Sequence, residues 1–496
     1  MPKRTKYIIV TGGVLSGLGK GIFTASLAML LKSRGIRVIP IKIDPYVNVD
    51  AGTMNPIEHG EVFVLDDGSE VDMDLGTYER FLDINLRSEN NITTGKIYQR
   101  VIEKEREGKY LGKTVQVIPH VTDEIQNWLR RVAKNSKADV EIIEIGGTVG
   151  DIENLVFLEA ARQLSLVEDV VFVHCTLVPV ISVVGEQKTK PTQQSVKKLR
   201  EIGIQPHFLF CRSPHYLKPK IVSKLSLFCG VPEENIISGP DLDNIYKVPL
   251  ILEHQDVTRK VLKMLNLATK KKDFVEWKKL VERMGNARRK VNIAITGKYT
   301  ELHDSYVSII ESIRCACGIF GAKPDIRWIE TTDIEKGKAD VKDLLKDVNG
   351  IIVPGGFGSR GTEGKIKCIR YARENKIPLL GLCLGFQLSV VEFARHVCGL
   401  KDANSTEINP KTSHPVIDLL PLQKKVYKKG GTMRLGGHDV IIKKGTKAHK
   451  IYGKQKIRER FRHRWEFNPE YKEIIEKNGL VFSGHDTSGK IMQILE

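Results

Sequence analysis

An apolar strand that runs directly into a glycine-rich loop and then a helix constrains this sequence more than any other feature. Residues 7–11 form the apolar run, residues 12–21 read GGVLSGLGKG, and residues 22–35 continue as an apolar helix pattern. Glycines let the backbone approach a phosphate, a helix N-terminus presents unpaired N–H groups, and a lysine adds positive charge. The segment therefore predicts an α/β protein with a phosphate-binding loop after its first strand, although a glycine turn that only caps a helix is an alternative.

The loop departs from the usual GxxxxGK[ST] pattern. It has one extra residue before its Gly-Lys pair, and Gly21 follows Lys20 where a serine or threonine usually binds magnesium. Carboxylates must then hold the metal of any bound metal–nucleotide. Asp72, Asp74 and Glu144 are the candidates, and Glu144 ends an apolar strand, where open parallel sheets bind their ligands.

Two α/β patterns separated by a charged linker organise the chain. The first alternates apolar strands with amphipathic helices, and the second begins after the basic segment around residue 270. The sequence predicts domains at residues 1–265 and 291–496, with a linker at residues 266–290. Predicted strands lie at residues 6–11, 37–43, 140–145, 169–175, 206–211, 235–238, 350–353 and 378–382, and helices at 306–320 and 362–375.

Composition excludes several classes of protein. No segment approaches the ~20 apolar residues that span a bilayer, and the N-terminus lacks a signal-peptide pattern, so a cytoplasmic location is predicted. Eight cysteines occur without a CxxC pair, which disfavours a zinc site or disulfide framework. The net charge is +18, and residues 422–464 hold 15 Lys and Arg against two acids. That stripe allows nucleic-acid binding, but a solvated basic face is favoured because aromatic residues are not interleaved with it.

A second chemical motif, GLCLGFQ, follows the apolar strand at residues 378–382. Its G-x-C-x-G arrangement predicts a nucleophile elbow that exposes Cys383 at the start of a helix. The helix N-terminus is expected to lower the pKa of this thiol. Upstream, PGGFGSRG supplies glycine N–H groups suited to an oxyanion hole, and a buried structural cysteine is the alternative.

These motifs, in their order along the chain, resemble those of the CTP synthase family. The segments that carry the resemblance include VTGGVLSGLGKG, IKIDPYVNVDAGTMNPIEHGEVFVLDDG, EIGGTVGDIE, GEQKTKPTQ, PGGFGSRG, GLCLGFQ, NSTE, GGTMRLG and RFRHRWE. The resemblance implies a P-loop amidoligase domain followed by a class I glutaminase domain, ATP-dependent amination of UTP to CTP through a 4-phosphorylated intermediate, and a homotetramer. It implies no specific nucleic-acid partner and no membrane partner.

The resemblance also implies roles for residues of the first domain. Lys20 and Lys42 would stabilise the transferring phosphoryl group, and Asp74 and Glu144 would bind Mg²⁺. The ATP-binding residues would be Ser16, Gly17, Leu18, Gly19, Lys20, Gly21 and Asp74. The UTP- and CTP-binding residues would be Ser16, Asp151, Ile152, Glu153, Lys188, Thr189, Lys190, Pro191, Thr192, Gln193 and Lys224. Pro56, His59 and Val62 match positions that line the family's ammonia gate.

In the second domain, the resemblance makes Cys383 the glutaminase nucleophile. Glutamine would be held by Gly356, Leu384, Gly385, Phe386, Gln387, Glu407 and Arg464. An allosteric activator, GTP, would act through Arg360, Gly361 and Glu363.

The family places the histidine and acid that activate the cysteine after a strand that KIMQILE resembles, and the sequence printed here ends with that strand at Glu496. We therefore expect a glutaminase domain that lacks its C-terminal end, weak glutamine hydrolysis, and amination with free ammonia. A truncated sequence is favoured over a natural variant because Cys383, Glu407 and Arg464 are present. Another P-loop amidoligase and a catalytically silent regulatory paralogue stay open as alternatives.

Overall fold

The computed structural model describes residues 4–55, 60–181, 185–268, 273–298, 302–419 and 433–496. The chain forms two compact units: Met1–Ala51 with Asp72–Val281, and Gly52–Val71 with Glu282–Glu496. The sequence places residues 52–71 in the first domain, whereas in the structure this segment packs with the second unit. Within the described ranges, no helix is long and apolar enough to cross a membrane.

Most strands of the N-terminal half belong to one large sheet. They are β1 (Lys6–Gly12), β2 (Val38–Asp44), β3 (Val62–Val64), β4 (Glu70–Asp72), β5 (Asn91–Thr93), β6 (Val140–Ile145), β7 (Val170–Leu177), β8 (Val180–Ile181), β9 (Glu186–Gln187), β10 (Phe208–Ser213) and β11 (Ile236–Pro240). Seven of them form a parallel sheet in the order β11-β10-β7-β1-β6-β2-β5. Tyr7 and Ile9 of β1 pack in one core cluster, and the alternate residues Ile8 and Val10 are also buried. Burial on both faces explains why these strands are predominantly apolar.

Helices connect the parallel strands of the first unit. They are α1 (Lys20–Lys32), α2 (Met73–Leu82), α3 (Thr94–Arg106), α4 (Thr122–Ser136), α5 (Leu155–Ser165), α6 (Lys190–Glu201), α7 (Pro219–Cys229), α8 (Val248–His254), α9 (Val257–Met264) and α10 (Val275–Asn286). Side-chain caps define two of the starts, because Asp72 accepts a hydrogen bond from the Asp74 N–H at 2.8 Å and Thr93 accepts one from the Lys96 N–H at 3.1 Å. The boundary between the two units falls inside α10.

Within the described residues, the second unit contains three sheets besides the hairpin of β3 and β4. Its strands are β12 (Arg289–Gly297), β13 (Ala322–Glu330), β14 (Gly350–Val353), β15 (Leu379–Gly381), β16 (Asn404–Ser405), β17 (Pro415–Leu419), β18 (Arg434–Ile442), β19 (Lys456–His463), β20 (Trp465–Phe467), β21 (Phe482–His485) and β22 (Met492–Leu495). The sheet orders are β13-β12-β14-β15, which is parallel, then β16-β17-β20 and the antiparallel β19-β18-β21-β22.

Helices of the second unit follow the same alternation. They are α11 (Val307–Ile319), α12 (Thr331–Glu335), α13 (Val341–Leu345), α14 (Thr362–Glu374), α15 (Leu384–His396), α16 (Lys447–Tyr452) and α17 (Lys472–Lys477). The predicted α/β class with a parallel N-terminal sheet is confirmed, and most predicted elements agree with the structure to within about two residues. The short β5 was not predicted from the sequence.

Candidate active sites

The glycine loop joins the central strand β1 to α1. Gly19 adopts a left-handed conformation with φ of 81° immediately before α1, and Lys20 is the first residue of the helix. The first N–H groups of a helix have no intrahelical partners. The Lys20 ammonium is largely buried and donates to the Gly147 carbonyl at 3.1 Å, in the loop that follows β6. The loop thus combines backbone donors with one positive charge, as predicted for a phosphate site.

A second lysine, Lys42 on β2, is the centre of a cluster of acids. Its Nζ contacts Asp74 and lies 3.5 Å from Glu144 Oε1, 3.6 Å from Asp44 Oδ1 and 3.8 Å from Asp72 Oδ1. Parallel pairing places Lys42 directly beside Glu144 on β6. The structure therefore brings together the predicted residues Lys42, Asp74 and Glu144, and it adds Asp44 and Asp72.

Burial and charge oppose each other in this cluster. Burial acts to lower the pKa of Lys42, but the surrounding carboxylates outweigh it and hold that pKa well above its ordinary value. Burial raises the pKa of Asp44 to about 7 and also raises the pKa of Glu144, while Lys42 acts in the opposite direction on both. The buried Tyr78 hydroxyl donates to Glu144. Lys42 consequently stays charged, and Asp44 and Glu144 bind a proton more readily than ordinary carboxylates do.

The unusual Gly21 has a steric reason. A Cβ atom at this position would lie 2.4 Å from Asp74 Oδ1, so a serine or threonine does not fit while Asp74 keeps its place. The carboxylate of Asp74 occupies the space beside the helix start that a hydroxyl side chain would otherwise take. This contact supports the prediction that a carboxylate replaces the hydroxyl ligand.

The donor set of this cluster fits magnesium. Mg²⁺ prefers oxygen ligands and is commonly held by one or two carboxylates together with substrate phosphates. Asp74 and Glu144 supply such oxygens beside the glycine loop. Among the residues that the structure describes, no group of three or more His, Cys, Asp or Glu side chains is arranged to hold a metal by itself.

The predicted UTP- and CTP-binding residues lie at four places in the first unit. Asp151, Ile152 and Glu153 are exposed after β6, and the single residues Ser16 and Lys224 are also exposed. The remaining segment runs through the start of α6. There Thr192 is buried and donates to the Leu177 carbonyl at 2.9 Å, Gln193 donates to Thr189 at 3.0 Å, Pro191 occupies the first turn, Lys190 is exposed, and Lys188 pairs with Glu186 at 2.6 Å.

An apolar cleft of about 790 Å³ lies on the first unit. Two of its lining residues are Ile152 and Glu153, both predicted for nucleotide binding, and Ile152 is 84% exposed. The rest of the wall is largely apolar and includes Val47, Tyr98 and Ile118. A mostly apolar lining and a volume of this size are typical of a ligand-binding cleft.

In the second unit, Cys383 sits on a sharp turn between β15 and α15. Its backbone has φ of 53° and ψ of −105°, a conformation that L-residues rarely adopt and that is typical of a nucleophile elbow. A Cβ atom on Gly385 would lie 2.0 Å from the Val353 carbonyl oxygen, so the turn requires glycine there. Cys383 is exposed, and its Sγ donates to the Arg462 carbonyl at 3.5 Å.

The predicted lowering of the Cys383 pKa is wrong. Although Cys383 as a residue is exposed, the protein atoms around its sulfur desolvate the thiolate and raise the pKa of the thiol to about 11. The Leu384 N–H at the helix start lowers it, as expected, and so does the charge of Arg462, but desolvation is the larger effect. A base must therefore take the proton before this sulfur can attack a substrate.

Charged side chains hold the glycine loop beside Cys383. Lys298 donates to the Phe357 carbonyl, Lys365 donates to the Pro354 carbonyl at 3.0 Å, and Glu407 accepts from the Gly358 N–H at 2.9 Å. Lys365 is almost completely buried, and burial lowers its pKa to about 7. Lys298 and Lys365 were not predicted from the sequence, because nothing in the pattern distinguishes them from surface lysines.

The predicted glutamine-binding residues surround the same turn. Leu384 and Gln387 are buried on α15, and Gln387 donates to the Trp465 carbonyl at 2.8 Å. Gly356 lies in the glycine loop, with Leu384 3.8 Å from where a Cβ atom of Gly356 would stand. Gly385 is buried, and Phe386 and Arg464 are half-buried.

The residues predicted for GTP activation already have partners. The Arg360 guanidinium donates to the Lys298 carbonyl at 3.0 Å, and the Gly361 N–H donates to Glu335 at 2.8 Å. Glu363 accepts two hydrogen bonds from Arg395, each at 3.0 Å. Of the predicted ammonia-gate residues, Val62 lies in β3, whereas Pro56 and His59 lie outside the described residues.

The comparisons identify an α/β ligase that carries a class I glutamine amidotransferase unit. Residues 6–267 match the family model described as "CTP synthase N-terminus", and residues 301–496 match that described as "Glutamine amidotransferase class-I". CTP synthase from Archaeoglobus fulgidus is 56% identical over 494 residues, which cover 99% of this chain and 92% of that protein. CTP synthase from Pyrococcus abyssi is 57% identical over 496 residues, which cover 99% of this chain and 91% of that protein. The chain belongs to the CTP synthase family.

Among solved structures, the glutaminase domain of Trypanosoma brucei CTPS with bound acivicin is 37% identical, covers 39% of this chain and 74% of its own, and has a TM-score of 0.37. The amidotransferase match extends to residue 496. The comparisons therefore give no support to the expectation of a defective glutaminase.

Proposed function

We propose that this chain catalyses the ATP-dependent amination of UTP to CTP, with ammonia released from glutamine at Cys383. The observation that carries the proposal is the Lys42 cluster beside the glycine loop, where two lysines and two magnesium-type carboxylates meet at the carboxyl ends of adjacent parallel strands. The family match supplies the substrates, and the geometry supplies roles for the side chains.

The first step transfers the γ-phosphoryl group of ATP to the 4-oxygen of UTP, which leaves ADP. Such a transfer needs positioning and charge stabilisation rather than covalent help from the protein. The loop from Ser16 to Gly21 binds the phosphates through its backbone N–H groups, and Lys20 and Lys42 stabilise the negative charge that moves between the nucleotides. Asp74 and Glu144 hold Mg²⁺, which supplies positive charge to the phosphate oxygens when it is bound.

The second step forms the new C–N bond. Neutral ammonia attacks C4 of the phosphorylated pyrimidine, phosphate leaves with the former 4-oxygen, and loss of a proton from nitrogen gives CTP. The pyrimidine nucleotide is bound by Ser16, the segment of Asp151, Ile152 and Glu153, the segment from Lys188 to Gln193, and Lys224. This assignment is supported by the position of Ile152 and Glu153 in the apolar cleft.

The glutaminase half follows thiol chemistry. The Cys383 sulfur attacks the side-chain amide of glutamine to form a thioester, ammonia leaves, and water releases glutamate. N–H groups of the Pro354–Gly358 loop are placed to bind the oxyanion, because the loop packs against Cys383 and a Cβ atom on Gly355 would lie 3.7 Å from Sγ. Gly356, the start of α15, Glu407 and Arg464 bind glutamine, and GTP activates through Arg360, Gly361 and Glu363.

A homotetramer accounts for the apolar cleft. Val47, Val117 and Ile118 line it with at least 47% of each residue exposed. Covering these exposed apolar residues with a second copy of the chain removes their surface from water, which stabilises the assembly.

A cytoplasmic location stays a prediction from the sequence.

The test is CTP formation from UTP, ATP and Mg²⁺, run in parallel with ammonium at alkaline pH and with glutamine plus GTP. Product with both nitrogen sources supports the full proposal. Product with ammonium alone supports the expectation that these 496 residues use only free ammonia. Product with neither, with a folded protein, points to a silent regulatory paralogue, and ATP hydrolysis that is independent of UTP points to another amidoligase.

A further inference from the structure

The carbonyl that contacts the candidate nucleophile belongs to an arginine whose side chain is bound on several sides. Arg462 lies near the end of β19, and its carbonyl accepts from Cys383 Sγ at 3.5 Å. Its Nε donates to Glu70 Oε1 at 2.7 Å, its Nη2 donates to the Gly52 carbonyl at 3.3 Å, and its guanidinium carbon is 5.2 Å from the centre of the Phe357 ring. A side chain held at these points fixes the backbone that carries it.

Glu70 comes from a distant part of the sequence. It lies in the inserted hairpin, residues 62–71, formed by β3 and β4, which packs in the second unit with β19. The Glu70 side chain is only 1% exposed. Truncating one partner of such a buried charge pair leaves the other charge without compensation, so the geometry of the pair is strongly enforced.

Two further arginines of β19 bind the inserted hairpin at alternate positions. Arg458 forms two hydrogen bonds with Asp66, at 2.9 and 3.0 Å, and Arg460 donates to the Val64 carbonyl at 3.1 Å. Side chains at i, i+2 and i+4 lie on the same face of a strand. This part of the basic stripe therefore binds the hairpin, and Arg462 also contacts Cys383.

We propose that Glu70 is a positioning residue for glutamine hydrolysis, because its ion pair with Arg462 fixes the carbonyl that orients the Cys383 thiol. The proposal rests on the proposed function of Cys383. The N-terminal half of the sequence thus supplies part of the glutaminase site, and that part is distinct from the groups that bind phosphate. Arg462 has a second influence, since its positive charge lowers the pKa of Cys383.

The experiment compares two isosteric changes in the inserted hairpin of the full chain. E70Q removes the charge that binds Arg462, and D66N removes the equivalent charge that binds Arg458. The readouts are kcat and KM for glutamine hydrolysis, the rate at which a chloroketone analogue of glutamine alkylates Cys383, and CTP formation from ammonium. Iodoacetamide labelling, followed on the Cys383 peptide, reports access to the thiol.

We expect E70Q to lower kcat and the chloroketone rate by about tenfold, because small displacements of a reacting group have large effects on rate. We expect three other quantities to stay within about twofold of wild type, because a displaced thiol changes the reaction rate rather than binding. They are the KM for glutamine, the rate of iodoacetamide labelling and the rate of ammonium-dependent CTP formation. D66N stays near wild type in every assay, and E70D restores part of the loss.

Equal rates for E70Q, D66N and wild type would overturn the proposal, and so would a parallel loss of ammonium-dependent CTP formation, since that indicates general support of the fold. A wild-type protein whose Cys383 is not alkylated by the chloroketone contradicts the proposed glutaminase itself. A wild-type protein that is alkylated, with no effect of E70Q, contradicts only the positioning role.

Discussion

The two candidate sites use charge in different ways. Around Lys42, ionised side chains face one another and the space where phosphates would bind. At Cys383, the thiol donates to a backbone carbonyl, that of Arg462. The charged residues Lys298, Lys365 and Glu407 bind the carbonyls and N–H groups of the adjoining loop. The difference suggests that the first site stabilises transferred charge directly, whereas the second depends on the placement of backbone dipoles. Substitutions of charged residues should therefore act on chemistry in one site and on geometry in the other.

The largest expected effect separates the two sites completely. C383A should lower glutamine-dependent CTP formation by about 10⁴-fold or more, because no other group replaces a lost nucleophile. Ammonium-dependent CTP formation should not change. C398A, just after the C-terminal end of α15, is the matched control and should retain both activities. A C383A protein that still uses glutamine would remove Cys383 from the mechanism.

Substitution of Lys42 should lower CTP formation by the same factor with either nitrogen source. K42M removes a charge at the phosphoryl-transfer site, and we expect CTP formation from glutamine and from ammonium to fall by about 10²–10³-fold. Initial rates are measured together with the thermal unfolding temperature. The second measurement shows whether K42M is folded, because Asp74 and Glu144 lose their buried partner in this variant. K104M, on α3, controls for removal of a lysine charge elsewhere in the first unit. Normal rates in folded K42M would contradict direct charge stabilisation.

Gly21 tests whether Asp74 has replaced the usual hydroxyl. G21S restores the common loop pattern, yet its Cβ would lie 2.4 Å from Asp74 Oδ1. We expect ammonium-dependent CTP formation to fall by about tenfold or more, since the carboxylate must move. G285S, at a position with no atom within 4 Å of the added Cβ, is the control. A gain in activity with G21S would show that the loop tolerates either ligand.

The smallest effect concerns stability and pH. Burial lowers the pKa of Lys365 to about 7 in the folded protein, below the value of ~10.4 for an unfolded lysine. The folded state therefore binds the proton less tightly than the unfolded state, so stability rises with pH between these values and is lost as pH falls through 7. Thermal unfolding from pH 6 to pH 9 should show Tm of wild type rising relative to K365M by a few degrees. K367M, exposed on the same helix, should follow wild type.

The fold could be read from the sequence because its strands are buried on both faces. The strands predicted at residues 140–145 and 350–353 are β6 and β14 with the same bounds. Asp74 and Glu144 were predicted from their place in the sequence and from the family resemblance, and Lys42 from the resemblance alone. Parallel pairing of β2 with β6 places Lys42 beside Glu144. Asp44 lies on the same strand as Lys42, but a lone acid at a strand end carries no distinguishing pattern.

The remaining features depend on packing that no local pattern records. The pKa of Cys383 was misjudged because the helix start is visible in the sequence, whereas the atoms that desolvate the sulfur are not. The pair of Glu70 and Arg462 joins residues 392 positions apart, and periodicity says nothing about such distances. The packing of residues 52–71 with the second unit could not be read from the sequence for the same reason.

The path of the inserted hairpin has a consequence for synthesis on the ribosome. The chain enters the second unit at Gly52, returns to the first at Asp72, and re-enters the second within α10. The arginines of β19 that bind the hairpin are made almost 400 residues after it. Contacts this distant in sequence form late and slowly. During synthesis, residues 62–71 therefore stay without the arginines of β19 until the C-terminal strands emerge from the ribosome.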